Sequence, residues 1–369
     1  MQPSVIPVVN LVKQNETIRA ELEEAVLRAL HSGNYILGPE VAAFEKEIAQ
    51  YCNVPHAIAC ASGTDAIMLA LMAIGFKPGD EVIMPSFTIY VDPEVVSLMN
   101  GVPRFAEIDA RTFNINPDQI AAQITPRTRA IIVTHLYGLT AEMDPIMALA
   151  REHKLIVIED ACQAIGSTYR GHMAGNIGDF GCFSFYPTKN LGGYGDGGLI
   201  TTQNDEYAAL LRRLRTHGFT AKYFSNEVGM NSRLDEIQAA ALRVKLRRLD
   251  QWTQRRHQLA AHYNEGLSSI AEVQIPFIPA HCQTNYHQYT IRAQRRDELK
   301  EFLAQQGIQS AIHYPLAPFQ QKVYIQHYLA SDYPEALKAV AEVLSLPLFA
   351  ELEFAEVDRV IDTIKQFYR

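Results

Sequence analysis

The segment FGCFSFYPTKNLGGYGDGGLI (residues 180–200) places a lysine between an apolar, aromatic run and a loop dense in glycine. The run predicts a buried strand, and the loop glycines allow another group to approach the backbone closely. A lone loop lysine is ordinarily a solvated surface charge. Lys189 instead follows a predicted strand directly, and an amine removed from water has a lowered pKa and becomes a nucleophile. Ser184 adds a hydroxyl at the end of the same strand.

A second predicted strand, in LIVIEDACQAIG (155–166), ends on Glu159 and Asp160. In open α/β sheets ligands gather at the carboxyl ends of the strands, so Asp160 points toward a site. A helix N-cap carboxylate is the structural alternative. A cofactor with a protonated ring nitrogen needs such an anion, because only the protonated ring withdraws electrons from a substrate carbanion. Gln163, one turn later, could donate to a ring hydroxyl.

The segment ASGTDAIMLALMAIG (61–75) joins a short strand to a helix through small residues. Ser62, Gly63 and Thr64 would leave free backbone N–H groups at the start of the helix, which suits a phosphate. A simple N-cap and tight turn explains the same residues. The three segments together indicate a cofactor site more strongly than any one of them does.

Seven apolar runs alternate with amphipathic segments, which is the pattern of βαβ units on a mostly parallel sheet. They are AIAC (57–60), EVIMPS (81–86), VPRFAEID (102–109), AIIVTHLYG (130–138), LIVIED (155–160), FGCFSFY (180–186) and GGLITT (197–202). We therefore predict an α/β fold, with a large domain over residues 1–245 in which helices flank a seven-stranded sheet.

The pattern changes near residue 245. One long helical pattern runs from Leu234 to Leu267 without proline and is predicted to bridge two domains. Beyond it, YHQYTIRAQ (286–294) predicts a strand, RDELKEFLAQQG (296–307) a helix and IQSAIHY (308–314) another strand, before two further helices. These elements predict a smaller α+β domain over residues 246–369.

The composition disfavours several classes of protein. With 369 residues, 48% hydrophobic and 20% charged, the chain fits a folded two-domain enzyme. A net charge of -8 disfavours a nucleic-acid binder, and Arg212, Arg213 and Arg215 are predicted to form a solvated helix face. Cysteine and histidine spacings predict neither disulfides nor a metal site. Without a signal-peptide pattern or a long apolar run, we expect a cytoplasmic protein that does not bind a membrane.

Eight motifs together resemble the sugar aminotransferases of the DegT/DnrJ/EryC1/StrS family, and the resemblance covers nearly all of the chain. The motifs are GNYILGPEVAAFE, ASGTDAI, PGDEVIMPSFT, LYGLTAEMDPI, VIEDACQAIGSTYRG, GDFGCFSFYPTKNLGGYGDGG, GMNSRLDEIQAA and IHYPLAP. The resemblance implies fold type I, the aspartate-aminotransferase-like fold, with pyridoxal 5'-phosphate as the cofactor.

Matching positions carry roles from this family into the chain. The resemblance implies that Lys189 holds the cofactor as a Schiff base and moves protons, while Asp160 faces the pyridine nitrogen and Gln163 the phenolic oxygen. The other implied cofactor contacts are Ser62, Gly63, Thr64 and Ser184 at the phosphate, Phe87 on the ring face, and Asn231 reaching the phosphate of a neighbouring subunit. A site shared in this way implies a homodimer.

Substrate contacts are implied by segments that line the nucleotide-sugar cleft in relatives. They are Tyr35, Tyr186, Lys222, Tyr223, His313 and Tyr314. A packing role stays open for Tyr35 and Tyr223. Relatives with HYP at the position of His313 tend to act at C-3 of the sugar. The resemblance therefore favours L-glutamate as amino donor and a dTDP-3-keto-6-deoxyhexose as acceptor, which would become a dTDP-3-amino-3,6-dideoxyhexose, with a C-4 or UDP-linked keto sugar as the near alternative.

Two functions of other classes stay open. Dehydratases of the same family replace the lysine by histidine, and Lys189 argues against that reaction. A sensor that binds cofactor and sugar without catalysis is the second.

The chain departs from the family pattern after PSFT. Relatives continue with small residues, as in YVATAEAI, whereas this chain has IYVDPEVVSLM (89–99). We expect Asp92 and Pro93 to begin a helix there as its N-cap and first-turn proline.

Overall fold

The computed structural model describes residues 5–369, so the first four residues of the predicted large domain lie outside the described residues. The helices are α1 (Leu11–His31), α2 (Pro39–Tyr51), α3 (Gly63–Ala73), α4 (Val91–Leu98), α5 (Pro117–Ile120), α6 (Met143–His153), α7 (Asp205–Leu214), α8 (Glu236–Leu246), α9 (Leu249–Leu267), α10 (Arg296–Gln305), α11 (Pro334–Glu342) and α12 (Phe354–Tyr368). The strands are β1 (His56–Cys60), β2 (Glu81–Pro85), β3 (Val102–Ala106), β4 (Thr128–Thr134), β5 (Ile156–Asp160), β6 (Thr168–Tyr169), β7 (His172–Met173), β8 (Phe180–Ser184), β9 (Gly198–Thr202), β10 (Phe219–Ala221), β11 (Phe224–Ser225), β12 (Val273–Gln274), β13 (Cys282–Gln283), β14 (Tyr289–Ala293) and β15 (Val343–Leu346).

The seven predicted strands form one sheet in the order β1-β9-β8-β5-β4-β2-β3. The five strands from β8 to β3 are parallel, and β9 runs antiparallel to both of its neighbours. Helices bury both faces, with Ile67 and Leu71 of α3 in the same core as Val82 of β2. The prediction of a mostly parallel sheet is therefore confirmed. It was possible because strands covered on both faces are apolar along their whole length.

A second, antiparallel sheet has the order β12-β14-β15. Its core includes Leu259 of α9, Leu299 of α10 and Val360 of α12. Packing crosses the predicted boundary in both directions, because Ile6 lies in this second core and Ala336 of α11 lies in the core of the large sheet. The boundary near residue 245 stays a prediction.

Two predicted elements differ from the structure. The single helix predicted over 234–267 is two helices, α8 and α9. They pack in different places, because Leu242 lies in a core beside the large sheet whereas Leu259 lies in the core of the second sheet. The predicted strand over 308–314 does not form. Ile308 pairs with Ile6 and Ala311 pairs with Ser345, so no two neighbouring residues share one partner strand.

Two predicted charged residues lie inside rather than at the surface. Arg215 is buried, and its Nη1 donates to the carbonyl oxygen of Ala59 (2.6 Å) and to Glu45, so it is not part of a solvated face. Asp92 is not an N-cap, because α4 begins one residue earlier, at Val91. Its side chain turns inward instead. No helix within residues 5–369 is both long enough and apolar enough to span a bilayer.

Candidate active site

The predicted site residues meet where the parallel strands of the large sheet end. Asp160 is the last residue of β5 and pairs with Thr134 at the end of β4 and with Cys182 in β8. Ser184 is the last residue of β8. Because these strands are parallel, their carboxyl ends lie at one edge of the sheet, the usual position of ligand sites in such folds.

The loop that carries Lys189 is fixed by a hydrogen bond within the loop and by contacts with residues 285–287. The backbone N–H of Lys189 donates to the carbonyl of Tyr186 (2.8 Å). The side chain of Asn190, next to it, donates to the carbonyl of Asn285 (3.1 Å) and contacts Nδ1 of His287 (3.1 Å). Residue Lys189 as a whole is half-buried. Its backbone is thus held in place by these hydrogen bonds.

A second lysine, which the sequence did not single out, supports the glycine-rich part of this loop. The amine of Lys245 is buried and donates to the carbonyl of Gly192 (2.7 Å). It also lies 4.1 Å from the centre of the Tyr194 ring. Burial lowers the pKa of Lys245 to about 8. A lysine on a helix gives no pattern that would reveal this contact.

Lys189 and Asp160 both act electrostatically on the thiol of Cys162. Burial and then the Asp160 carboxylate raise the pKa of the Cys162 thiol, while the Lys189 ammonium opposes them. Asp160 is 4% exposed, and its Oδ1 accepts the backbone N–H of Cys162 (3.0 Å). Asp160 is therefore in direct contact with Cys162, and the charge of Lys189 also reaches this thiol.

The predicted phosphate turn packs directly against Cys162. Ser62 is the N-cap of α3, and its hydroxyl accepts the N–H of Asp65 (3.1 Å). A Cβ atom on Gly63 would lie 2.8 Å from both Cys162 Sγ and Ser184 Cβ, so only glycine leaves room here. The free N–H groups at the helix start and the Ser184 hydroxyl form a cradle that suits a phosphate. In this respect the residues fit pyridoxal phosphate.

Aromatic and amide side chains form the wall beside Asp160. Phe87 is fully buried, and its ring centre lies 6.3 Å from that of Tyr314. Gln163 donates through Nε2 to the Tyr314 hydroxyl (3.0 Å) and accepts the N–H of Tyr137 through Oε1 (2.7 Å). Phe87 and Gln163, predicted at the cofactor, thus lie next to Tyr314, predicted at the sugar.

Two histidines of the second domain face Lys189. Burial, and then the charge of Lys189, lower the pKa of His313 to about 4 and also lower the pKa of His287. Nδ1 of His313 lies 2.9 Å from the hydroxyl of Ser345. Both rings are therefore neutral at pH 7. His287 was missed in the sequence, because nothing in YHQYTIRAQ indicates that this strand end reaches the loop of Lys189.

The remaining predicted residues lie at the surface of the single chain. They are Tyr35, Tyr186, Lys222, Tyr223 and Asn231. Tyr223 lies between β10 and β11 and is 79% exposed, which argues against a packing role within its own chain. The hydroxyl of Tyr35 donates to the carbonyl of Leu30 (3.2 Å).

Two other clusters lie apart from these residues. A cleft of about 1010 Å³ has a lining that includes Tyr90, Tyr324 and Tyr328 and none of the predicted site residues. Among residues 5–369, one group of three side chains could hold a metal ion, with ligand atoms within 4.8 Å of one another: Glu142, His281 and Cys282. Nε2 of His281 already lies within hydrogen-bonding distance of Glu142 (2.7 Å).

Comparison with known proteins gives consistent matches over the full chain. The model of the DegT/DnrJ/EryC1/StrS aminotransferase family matches residues 16–365. A "Pleiotropic regulatory protein" of Geobacillus stearothermophilus is 44% identical, covering 99% of each chain. A "UDP-N-acetyl-3-dehydro-alpha-D-glucosamine 3-aminotranferase" of Acidithiobacillus ferrooxidans is 42% identical, covering 99% of this chain and 98% of the other. A "dTDP-3-amino-3,4,6-trideoxy-alpha-D-glucose transaminase" of Streptomyces venezuelae is 41% identical, covering 98% and 96%.

Solved structures agree with these relatives. The crystal structure of DesV from S. venezuelae, in complex with a ketimine intermediate, superposes with a TM-score of 0.97 at 41% identity and covers 100% of this chain and 99% of the other. NtdA of Bacillus subtilis, with the cofactor PMP bound, has a TM-score of 0.93 at 31% identity and covers 99% and 86%. The predicted fold type and cofactor are confirmed, and the chain belongs to the DegT/DnrJ/EryC1/StrS family of pyridoxal-phosphate-dependent sugar aminotransferases.

Proposed function

We propose that this chain transfers the amino group of L-glutamate to C-3 of a nucleotide-linked keto sugar, with a dTDP-3-keto-6-deoxyhexose as the preferred acceptor and a dTDP-3-amino-3,6-dideoxyhexose as the product. The observation that supports the proposal is that Gly63, Cys162 and Ser184 pack together beside Asp160 at the carboxyl end of the sheet, where the charges of both Asp160 and Lys189 act on the Cys162 thiol. This arrangement offers an amine, a buried carboxylate and a phosphate site within one short stretch of surface.

Each of these groups has a defined task in transamination. When bound, pyridoxal phosphate stores the amino group between the two half-reactions and withdraws electrons from the carbon that loses a proton. Lys189 Nζ takes that proton and returns it to the neighbouring carbon. The Asp160 carboxylate keeps the ring nitrogen protonated. Gly63, Thr64 and Ser184 hold the phosphate.

The choice of C-3 is supported by the names of relatives. Transaminases named for 3-amino sugars include the dTDP-linked protein of S. venezuelae and the UDP-linked protein of A. ferrooxidans. GDP-perosamine synthase of Caulobacter vibrioides, which is 38% identical, represents a third nucleotide. The two neutral histidines beside Lys189 can exchange hydrogen bonds with sugar hydroxyls without adding charge.

The test is a panel of keto sugars offered to the pyridoxamine form of the protein. dTDP- and UDP-linked 3-keto and 4-keto hexoses are incubated separately, and the products are identified by mass spectrometry and NMR. We expect amination at C-3, fastest with the dTDP-linked 6-deoxy sugar. Exclusive amination at C-4 would contradict the proposal.

A sensor without catalysis is the second candidate, and the regulatory name of the Geobacillus relative favours it. The two functions differ in one simple observation. A transaminase that has bound pyridoxal phosphate is yellow and loses this colour when glutamate is added, whereas a sensor keeps it. Lys77→Ala, at an exposed lysine, is the control for the preparation.

We also propose a homodimer in which each site takes residues from both subunits. The segment around β10 and β11 exposes Phe224 and Val228, 69% and 89% respectively, more than an isolated surface loop favours. Asn231 is exposed as well. If it reaches the partner, mixing Lys189→Ala with Asn231→Ala subunits restores one intact site per mixed dimer. Recovered activity supports sharing, and additive loss contradicts it.

A further inference from the structure

Asp92 is a fully buried acid that has no assigned role. It lies in the first turn of α4, and both hydrogen bonds that it accepts come from threonine hydroxyls. Thr134 Oγ1 donates to Asp92 Oδ2 (2.6 Å), and Thr88 Oγ1 lies 3.1 Å from the same oxygen and 3.0 Å from Thr134 Oγ1. One oxygen of the carboxyl group is therefore fully satisfied.

The other oxygen, Oδ1, is buried without a donor among residues 5–369. Asp160 is the neighbouring acid, because the Thr134 hydroxyl that donates to Asp92 belongs to the sheet partner of Asp160, and Asp160 acts on the Asp92 carboxyl group through its charge and a side-chain hydrogen bond. The sheet explains the approach, because Thr134 and Asp160 are paired residues of β4 and β5 whose side chains lie on the same face. Two carboxylates in contact need a proton between them.

The described neighbours of Asp92 that interact with its charge include Cys182 on β8 and Tyr314, and neither of them carries a positive charge. Burial raises the pKa of both, so each is neutral near pH 7. Burial first, and then the charge of Asp160, raise the pKa of Asp92 well above its usual value.

We infer that Asp92 is held as a neutral carboxylic acid whose Oδ1–H donates to Asp160, which makes it a positioning residue for that carboxylate. The shared hydrogen bond fixes the orientation of Asp160 and draws off part of its negative charge. A second consequence rests on the proposed function, in which the ring nitrogen of the cofactor faces Asp160. Asp160 then holds the ring proton less tightly than an isolated carboxylate would. The shared proton itself does not depend on any cofactor.

The first experiment therefore uses the cofactor-free protein. Infrared spectra in D2O should contain the C=O band of a buried protonated carboxyl group, which Asp92→Asn removes and Glu94→Gln, a matched change on the same helix, retains. Spectra in which the band persists in Asp92→Asn would overturn the inference.

The pH dependence of unfolding gives an independent measure. An acid whose folded pKa is raised adds stability below its unfolded pKa of about 3.9 and loses it as the pH rises through the folded value. The melting temperature of the wild type should thus fall, relative to Asp92→Asn, as the pH increases above ~4. Parallel curves for the two proteins would also overturn the inference.

The second experiment follows the visible absorption of the bound cofactor as a function of pH. Asp92→Asn keeps an N–H donor toward Asp160, so its absorption should titrate with the same midpoint pH as that of the wild type. Asp92→Ala should shift the midpoint pH of this absorption change upward by roughly one pH unit, the equivalent of one charge-assisted hydrogen bond. If the infrared band behaves as expected but Asp92→Ala leaves this midpoint unchanged, the link to the cofactor fails while the shared proton stands.

Discussion

Glu159 and Asp160 are consecutive residues at the end of β5, yet their carboxyl groups have opposite surroundings. Successive side chains of a strand point to opposite faces of the sheet, so each enters a different environment. Glu159 is fully buried, and it accepts four N–H groups: His135 Nε2 (2.8 Å), Gly175 N (2.8 Å), Ile177 N (2.7 Å) and Gly178 N (2.6 Å). Among the described residues, Asp160 accepts one N–H, from Cys162.

The difference separates a structural carboxylate from a functional one. Nδ1 of His135 accepts the N–H of Ala141 (3.2 Å), so Nε2 is the ring nitrogen that donates to Glu159. Burial raises the pKa of Glu159, but the hydrogen bonds from His135, Gly178 and Gly175 outweigh it and lower the pKa overall. Glu159 has no capacity left for a ligand. Asp160 accepts a single N–H among the described residues, so its carboxyl oxygens retain capacity for another donor.

The largest effect is expected on the face of Asp160, at the amine. Lys189→Ala should lower kcat by roughly 10⁴-fold or more, because the variant lacks both the nucleophile and the proton carrier. Its melting temperature should stay within a few degrees of the wild type, since the residue is half-buried and the backbone contacts of the loop remain. Steady-state transamination is the measurement, and turnover at the rate of the Lys77→Ala control would remove Lys189 from the mechanism.

Asp160→Asn tests the comparison directly. We expect a loss of about 10² to 10³-fold in kcat, because an amide cannot stabilise a protonated ring nitrogen. The free energy of unfolding should change by about 1 kcal/mol or less, since the amide oxygen can still accept both the N–H of Cys162 and the proposed hydrogen bond from Asp92. Activity assays and chemical denaturation separate the two. Near-normal kinetics would mean that this carboxylate has no part in catalysis.

Glu159→Gln should have the converse result. The new amide N–H₂ would face N–H donors in a closed site, so we expect unfolding to become easier by about 3 kcal/mol. The kcat of the folded fraction should stay close to that of the wild type, because the side chain lies on the other face of the sheet. A loss of kcat as large as that of Asp160→Asn would erase the distinction between the two faces.

This contrast also shows how far the sequence could lead. The seven strands were predictable because strands buried on both faces are apolar throughout. Asp160, Ser184 and Lys189 were predictable because each stands at or just after a strand end, where the fold places ligands. From the sequence, Glu159 and Asp160 looked alike, since the donors to Glu159 come from a loop whose path is set by the folded chain.

Residues that depend on tertiary packing were missed or misplaced. The dipeptide Asp92-Pro93 is typical of a helix start, but the Asp92 side chain is buried, where it accepts hydrogen bonds from the hydroxyls of Thr88 and Thr134. Arg215 belongs to a basic run, yet its side chain is buried, where it donates to Glu45 on α2 and to the carbonyl of Ala59 in β1. A local sequence pattern indicates only the conformation that a segment favours in isolation. The positions of these two side chains depend on hydrogen-bond partners that are distant in sequence.

Gly63→Ala sharpens the comparison at the phosphate cradle. The added methyl group would meet Cys162 Sγ and Ser184 Cβ at 2.8 Å, so the turn must shift. We expect cofactor affinity to fall by roughly 10 to 100-fold, the equivalent of one or two lost hydrogen bonds. Equilibrium binding of pyridoxal phosphate to the cofactor-free protein is the measurement. Adding Cys162→Ala should recover part of the loss, and no recovery would place the strain elsewhere.

The smallest effect concerns acid stability on the face of Glu159. A carboxyl group whose folded pKa is lowered adds stability above its unfolded pKa of about 4.3 and loses it as the pH falls through the folded value. The advantage of the wild type over Glu159→Gln should therefore be constant near neutrality and narrow below pH ~4.3. Melting temperatures at closely spaced pH values measure this. The contribution of Asp92 to stability changes with pH in the opposite direction, because its folded pKa is raised. Acid should therefore weaken the contribution of Glu159 and strengthen that of Asp92.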